Sequence, residues 1–406
     1  LGQQFAAKLG EYDVFALPEV IALFGDRAEG PAFLRALGTG TGAEMKSIVV
    51  YDGAAPVAAA SLVWLPFDFF SDAPKPVRNA MHAMRKVFPK AGYLKFCGPG
   101  ALHTGEPQIV ISGSLGPEAR DAALAAMLDV AEAEGRRRRC HYHSLMDLSQ
   151  EDAAWAAPML RQRGYYPMEG IAMPWQYLPF ASIDEYLASH GGNLRYKMRK
   201  KFRRAFAEIE IVETHTIDDA LEAEIDALAL SMHRHAKHNL GGIELMPPGF
   251  YRQLAETAKV TILLYKLAGR VIGFCYLIEE EGDVLCGKAV GLYWPEAEDY
   301  NLIYYNLFCV IEAAIRMGKR WVVLGQGGYP TKLLYGARLV RRTSFLKGCG
   351  VLAWFLPMFA SRLDEMNPAR MWKEVMDPAN YFDADPAGPQ APVKRIWVPQ
   401  PPEADQ

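Results

Sequence analysis

The sequence holds little cysteine, and none of it is spaced for chemistry. Its six cysteines (Cys97, Cys140, Cys275, Cys286, Cys309 and Cys349) contain no Cys-x-x-Cys pair. That excludes a zinc knuckle, a dithiol redox motif and a secreted disulfide framework. Four of them sit in apolar patterns and read as small buried hydrophobes. No apolar run approaches the length that crosses a bilayer. Leu1 to Leu34 carries charges throughout and lacks the apolar h-region of a signal peptide, so a cytoplasmic protein, soluble or peripheral, is expected. Charge of one sign is also missing: 44 Lys and Arg face 47 Asp and Glu, a net −3. The molecule as a whole has no attraction for nucleic acid, and local patches must be judged separately. Half the residues are hydrophobic and 22% are charged, a composition that folds.

What is present is a regular alternation of strands and helices. Met45 to Val50 and Pro56 to Trp64 read as strands joined at Tyr51-Asp52-Gly53-Ala54, since apolar and β-branched residues flank an Asp-Gly. Tyr93–Cys97 and Gln108–Ile111 are further short strands. Glu118 to Gly135 is a helix striped by Leu124, Met127, Leu128 and Ala131. Arg138 to Met146 alternates as a strand, Ala153 to Arg163 is helical, and Tyr165 to Leu178 is expected as one strand. The second half repeats the order. Helices at 183–190, 194–207, 217–238 and 250–259 bracket a strand at 210–213. A hairpin (260–267, 271–279) and a strand at 284–294 follow, then a helix at 301–318, a buried strand at 320–325, a short helix at 331–335 and a closing strand at 339–347. The repeat is one of architecture, not of sequence. The stretch from Asp383 to Gln406, rich in Pro, Ala and Asp, is expected as an extended tail.

Three segments of the second half carry a likeness. They are the basic run Asn193 to Arg204, the segment Asp299-Tyr300-Asn301-Leu302-Ile303-Tyr304-Tyr305-Asn306-Leu307, and Gly325-Gln326-Gly327-Gly328-Tyr329-Pro330-Thr331-Lys332 followed by Leu333 to Ala337. With the element order, they resemble the GNAT acetyltransferase superfamily. The doubling resembles the Fem-type transferases of peptidoglycan synthesis. The likeness covers roughly 186–362 by motif and the first half by element order alone. It implies an α/β fold of two fused GNAT-like domains, each a mixed sheet flanked by helices, at 1–182 and 183–382, with a tail over 383–406. It also implies N-acyl transfer from an acyl thioester to a primary amine, with acyl-CoA as co-substrate and no permanently bound cofactor or metal. Bacterial ceramide synthases, which join an acyl-CoA to a sphingoid base, share this size and class, so an amino lipid is the first acceptor to consider. The alternatives are an aminoacyl-tRNA-dependent peptidoglycan transferase and a non-catalytic lipid-binding fold.

The superfamily seats the CoA pyrophosphate on backbone amides ahead of its central helix, where free N–H groups and a partial positive charge meet. In the second half that stretch is Trp294-Pro295-Glu296-Ala297-Glu298-Asp299, which is acidic and departs from the pattern. In the first half it is Ser112 to Pro117, so Gly113, Ser114 and Gly116 become candidate phosphate contacts. Gln326, Gly327 and Gly328 could present amides as well, with Lys332 supplying charge. Amide formation must remove a proton from the attacking amine, a task suited to histidine. His143 and His141 alternate on one predicted strand and face one side together with Leu145; His103 lies in a Gly-rich loop. His233, His235 and His238 lie on one helix without a third ligand, so no metal site is expected. Arg195, Lys197, Arg199, Lys200, Lys201, Arg203 and Arg204 make a cationic face over Leu194, Met198, Phe202 and Phe206. That face suits water, anionic lipid, the CoA 3′-phosphate or a tRNA backbone. Arg136–Arg139 is a second basic run. The aromatic segments 63–70 and 354–359 suit a core, a lipid-facing surface or an acyl-chain tunnel.

Overall fold

A computed structural model describes residues 5–38, 44–68, 75–101, 103–235, 245–280, 282–350, 352–353, 373–385 and 387–398. The first half runs β1 (Ala6–Gly10), α1 (Pro18–Phe24), α2 (Pro31–Gly38), β2 (Glu44–Asp52), β3 (Ala55–Asp68), α3 (Lys75–Arg85) and β4 (Tyr93–Pro99). It continues with β5 (Ile109–Ser112), α4 (Pro117–Arg137), β6 (Tyr142–Leu148), α5 (Gln150–Gln162), β7 (Tyr166–Glu169) and β8 (Met173–Tyr177). The second half opens with α6 (Ile183–Ser189), α7 (Gly192–Glu208), β9 (Ile209–Thr214), α8 (Asp219–His235), α9 (Phe250–Thr257), β10 (Val260–Leu267), β11 (Arg270–Glu279) and β12 (Val284–Leu292). It closes with α10 (Glu296–Asp299), α11 (Leu302–Arg316), β13 (Trp321–Val323), α12 (Tyr329–Leu334), β14 (Arg338–Val340), β15 (Thr343–Gly348), α13 (Lys373–Met376) and β16 (Trp397–Val398).

Local chemistry explains the main elements. The β2–β3 hairpin turns at Gly53, whose φ of 60° lies in the left-handed region that glycine enters without a Cβ clash. Pro117 occupies the first turn of α4, where its missing N–H costs no hydrogen bond. Ser149 caps α5 by accepting the Asp152 N–H at 3.0 Å, a contact worth about 1 kcal/mol. The apolar face of α11 buries Leu302, Tyr305, Phe308, Ile311 and Ala314 against the second sheet.

The strands form two mixed sheets. The first runs β1-β2-β3-β4-β6-β15-β7, with β5 on β3 and β16 on β5; the second runs β14-β8-β13-β12-β11-β10-β9. Each half lends the other a strand: β8 lies between β13 and β14, and β15 lies between β6 and β7. Both therefore cross the division expected at 182/183. The stretch expected as one strand over Tyr165–Leu178 breaks at Gly170, because its ends belong to different sheets. At the break the Gly170 N–H donates to the Arg342 carbonyl at 2.9 Å. A Cβ at Gly170 would come within 2.8 Å of the Arg342 Cβ. The tail is likewise more than an extension, since β16 pairs with β5 and Ile396 is wholly buried.

One face of the first sheet packs on α4 and α5, and the other on α1 and α2. Helix α2 also shares a core with α8, α9, β10 and β11 of the second half, through Phe33, Leu37, Ile225, Phe250 and Phe274. The second sheet's other face carries α6, α7 and α11. The two halves thus meet over a common apolar layer, and buried charges gather at its margin.

Candidate functional site

Each sheet contains a parallel pair that opens like a V. In the second sheet β12 and β13 pair at Val284↔Trp321, Leu285↔Val322 and Cys286↔Val323, then separate. The Leu324 N–H turns to the Pro174 carbonyl at 3.0 Å on β8. Among the described residues no strand covers the outer edge of β12 from Gly287 to Leu292, where alternate amides point away from β11. The far wall of the opening is Gly325-Gln326-Gly327-Gly328. Three of these residues have positive φ (68°, 82° and 60°), a backbone that side chains rarely tolerate.

Helix α12 follows, and Lys332 folds back so that its Nζ donates to the Gly325 carbonyl at 2.8 Å. Desolvation pushes the Lys332 ammonium down to about 7, because burial penalises the charged form. Gln326 is engaged elsewhere: its side-chain amide reaches the Ile171 carbonyl at 3.3 Å.

The first sheet has the same opening, but it is filled. Here β4 and β6 pair at Phe96↔Tyr142 and Cys97↔His143; β4 then leaves the sheet, and the chain rejoins β3 as β5. Strand β16 lies in the gap parallel to β5: the Ile111 N–H donates to the Ile396 carbonyl at 2.7 Å, and the Ile396 N–H donates to Asp152 Oδ2 at 3.1 Å. The expected cradle of Gly113, Ser114 and Gly116 abuts this tail strand. Ser114 turns its hydroxyl to Ser112 at 2.7 Å, and Arg120 donates to the Leu115 carbonyl while stacking on Trp397.

The three histidines are dispersed. His143 is buried under α4, so close to Gly135 that a Cβ there would lie 2.4 Å from the imidazole Cε1. Burial lowers its imidazole to about 4, opposed by nearby Glu132, and leaves it neutral at pH 7. Neither cavity described below is lined by it. His141 precedes β6 rather than alternating on it, and its Nδ1 accepts the Lys95 N–H at 2.8 Å. His103, at φ 59°, stands where the halves meet, its carbonyl accepting from Lys288. Because His143 fills space beside Gly135, His143→Ala is expected to lower the melting temperature while changing turnover less than threefold. Calorimetry and a steady-state assay on one preparation check this.

The groups that do gather at the open V are carboxylates with a buried arginine rather than histidines. Asp147, at the end of β6, has φ 58°, and its carboxylate accepts the Ile171 N–H while Oδ1 has no hydrogen-bond partner. Burial raises it to about 6 against the pull of Arg342. Arg342 is fully buried, and Glu106, itself pushed up by burial, stands 4.0 Å from it. Glu29 bonds the Gly105 N–H at 2.9 Å and pairs with Lys288 of β12.

The turn Gly170–Ala172 joins this cluster to the glycine loop: Ile171 contacts both Asp147 and Gln326, and the Ala172 carbonyl accepts the Tyr329 hydroxyl at 2.8 Å. A cavity of about 300 Å³ lies on the turn's other side, walled by Glu169, Gly170, Arg341, Arg342 and Tyr381. Alternation along β6 would place Asp147 on the face that His143 and Leu145 turn to α4; the strand's register shift against β15 and the positive φ of Asp147 break that alternation, and its carboxylate stands by Arg342 instead.

The basic runs differ in what they leave free. Arg136, Arg137 and Arg138 pair with Glu132, Glu134 and Glu44, so that run is largely neutralised. Arg138 also stacks on Trp64 in a cleft of about 570 Å³ with Phe96 and Cys140. On α7, Arg199, Lys200, Arg203 and Arg204 are exposed and Arg195 is half-buried; the Lys197 side chain lies outside the described atoms. Lys201 sits over Tyr304, and Arg204 over Tyr300, at the start of α11. There Arg270 pairs with Glu296, offsetting part of the acidic segment 296–299. His235 stacks on Trp294 at 4.9 Å, and His238 lies outside the described residues, as do Phe69, Phe70 and 354–359.

Residues 192–333, which include α7, the open V and the glycine loop, match the family model described as an acetyltransferase (GNAT) domain. Residues 192–333 are thus similar to a GNAT domain, and the chain as a whole folds as two mixed sheets flanked by helices. No curated protein matches the chain. Among solved structures, L-PGS from Bacillus licheniformis is 11% identical and aligns over 88% of this chain and 98% of its own, with a TM-score of 0.53. FemX aligns at 12% identity over 78% of this chain and 90% of its own, with a TM-score of 0.45. A tandem GNAT protein from the clavulanic acid biosynthesis pathway aligns at 13% identity over 86% and 99%, also with a TM-score of 0.45. The L-PGS likeness speaks to the fold alone.

Proposed function

We propose that the protein is an N-acyltransferase that takes its acyl thioester into the open V of the second sheet. The observation that carries this reading is the contrast between the two openings: β16 fills one, and in the other the edge of β12 facing a glycine loop is covered by no strand among the described residues. The donor is an acyl-CoA, whose pantetheine amides pair with the outer edge of β12. The cations of α7 beside α11, above all Lys201 and Arg204, offset its phosphates.

The acceptor is a primary amine, with a sphingoid base as the first candidate. Asp147, Glu106 and Glu29 favour an amine that arrives as a cation. Asp147 accepts one proton of the arriving ammonium, freeing the lone pair with which nitrogen attacks the thioester carbonyl. Outward amides of β12 stabilise the oxyanion, the C–S bond breaks, protonated Lys332 donates to the departing thiolate, and the neutral Lys332 so formed takes the second proton from the new amide nitrogen. His143, His141 and His103 have no place in this sequence.

The test is direct. Purified protein with palmitoyl-CoA and sphinganine should release free CoA and form an amide detectable by mass spectrometry, and omission of the amine should abolish release. Transfer from an aminoacyl-tRNA, with palmitoyl-CoA inert, would replace this reading with the tRNA-dependent one.

A further inference from the structure

Helix α3 and the turn that follows it are barely covered by the rest of the molecule. Of the ten described side chains of α3 only Met81 is buried. A helix of that length gains little from its backbone alone in water and ordinarily depends on an apolar face being covered. Val77, Met84 and Phe88 follow one another at helical spacing on an exposed stripe, with Val87 beside them; Val87 is 71% and Phe88 65% exposed. The chain continues helically into this turn, since the Phe88 N–H donates to the Met84 carbonyl at 2.8 Å.

The surrounding charge is predominantly basic, and Asp68, the carboxylate beside α3 among the described residues, is taken up by Arg85. Arg78, Lys86, Lys90 and Lys95 are exposed around the stripe, and the sequence from Ala73 to Gly105 contains no Asp or Glu. The patch is also held firmly in place. Arg85 forks onto Asp68 at 2.9 and 2.6 Å, donates to the Ala91 carbonyl at 2.9 Å and stacks on Tyr93. The apolar tip therefore projects from the β3–β4 edge as a fixed feature.

We propose that α3 and residues 86–90 form a membrane-docking surface, with Val77, Met84, Val87 and Phe88 entering the headgroup–acyl boundary of an anionic leaflet and Arg78, Lys86 and Lys90 meeting its phosphates. Stable surface binding takes two signals together, apolar insertion and cationic attraction, and this patch supplies both. A predominantly cationic surround is matched by an anionic lipid surface, whereas a protein partner would need an acidic rim built for it. Among its described side chains the cationic face of α7 shows no such cluster: of its exposed rings, Phe206 packs edge-on against Tyr305 and Phe308, leaving Tyr196. No helix among the described residues is long and apolar enough to cross a membrane. Docking concerns the surface only and does not rest on the acyl-transfer reading.

Flotation of the full chain with phosphatidylcholine vesicles, with and without phosphatidylglycerol, tests it. Wild type should float with the anionic vesicles, and added salt should weaken binding. Val87→Asp with Phe88→Asp should lower partitioning on the order of tenfold or more with an unchanged melting temperature. Lys86→Glu with Lys90→Glu should remove the preference for phosphatidylglycerol. Arg199→Ala with Lys200→Ala and Arg203→Ala, on α7, should leave partitioning within twofold. Failure of wild type to float, equal flotation of the Val87/Phe88 variant, or loss of flotation only in the α7 variant would each overturn the proposal. So would a dimer in solution that the Val87/Phe88 variant abolishes, since the patch would then be a protein contact.

Discussion

Turnover is expected to follow a narrow bell against pH, with an acid limb near 6 and an alkaline limb near 7. The acid limb belongs to Asp147, which must be ionised to take the amine's proton and which burial holds at about 6. The alkaline limb belongs to Lys332, which must carry its proton to the thiolate and which desolvation holds at about 7. Asp147→Asn should lower turnover by about 10²–10⁴-fold, the usual worth of a positioned base, and erase the acid limb. Lys332→Met should erase the alkaline limb, leaving activity flat into mildly basic solution.

Stability provides a second readout with the opposite sign. Because the folded Asp147 carboxyl titrates above its unfolded value, its contribution is fully present in acid and is lost as pH rises through about 6. Asp147→Asn should therefore melt higher than wild type at pH 8 while being nearly inactive. A merely structural Asp147 would give the stability change without the change in pH profile. Bell-shaped profiles report the macroscopic behaviour of coupled groups, so the two single variants are needed to assign the limbs.

Ile396→Asp should be the most damaging substitution in the tail, lowering stability by about 3–5 kcal/mol, roughly 10 °C in melting temperature for a domain of this size. Ile396 is fully buried in the core beneath α4, and both its backbone groups are bonded, one to Ile111 and one to Asp152. A carboxylate there would be buried among apolar side chains, on a residue whose backbone N–H already donates to the Asp152 carboxylate. The neighbouring tail reinforces the seat: Lys394 reaches Asp26 at 3.2 Å and Glu280 at 3.0 Å, which ties the tail to both halves. The same seat predicts one thioester per chain. Calorimetric titration of the wild type with a non-hydrolysable acyl-CoA analogue should give a stoichiometry near one. Two equivalents would mean that the first sheet admits a donor despite β16.

The alternation of strands, the hairpin at Gly53, the striped helices α4 and α11 and the cationic α7 are all written in local sequence. Hydrophobic periodicity and turn residues act over a few neighbours, and so they survive reading along the chain. The glycines at 325, 327 and 328 were legible for the same reason, as glycine enters positive φ without a Cβ clash. The partners across the chain were not legible. That Ile396 would occupy the first opening, 285 positions away from Ile111, depends on backbone hydrogen bonding, which carries no residue code. The exchange of β8 and β15 between sheets is hidden likewise, because a strand's own pattern does not say which sheet will accept it.

The proposed proton acceptor differs in chemical type from the one the sequence favoured. Histidine titrates near neutrality when exposed, so the sequence favoured His143. Burial then drove that imidazole down to about 4 and raised the carboxyl of Asp147, on the same strand, to about 6. Sequence determined which side chains could titrate. Only the tertiary structure decided which of them do so near neutral pH beside the open strand edge, because desolvation and neighbouring charge are properties of the packed site and not of the residue.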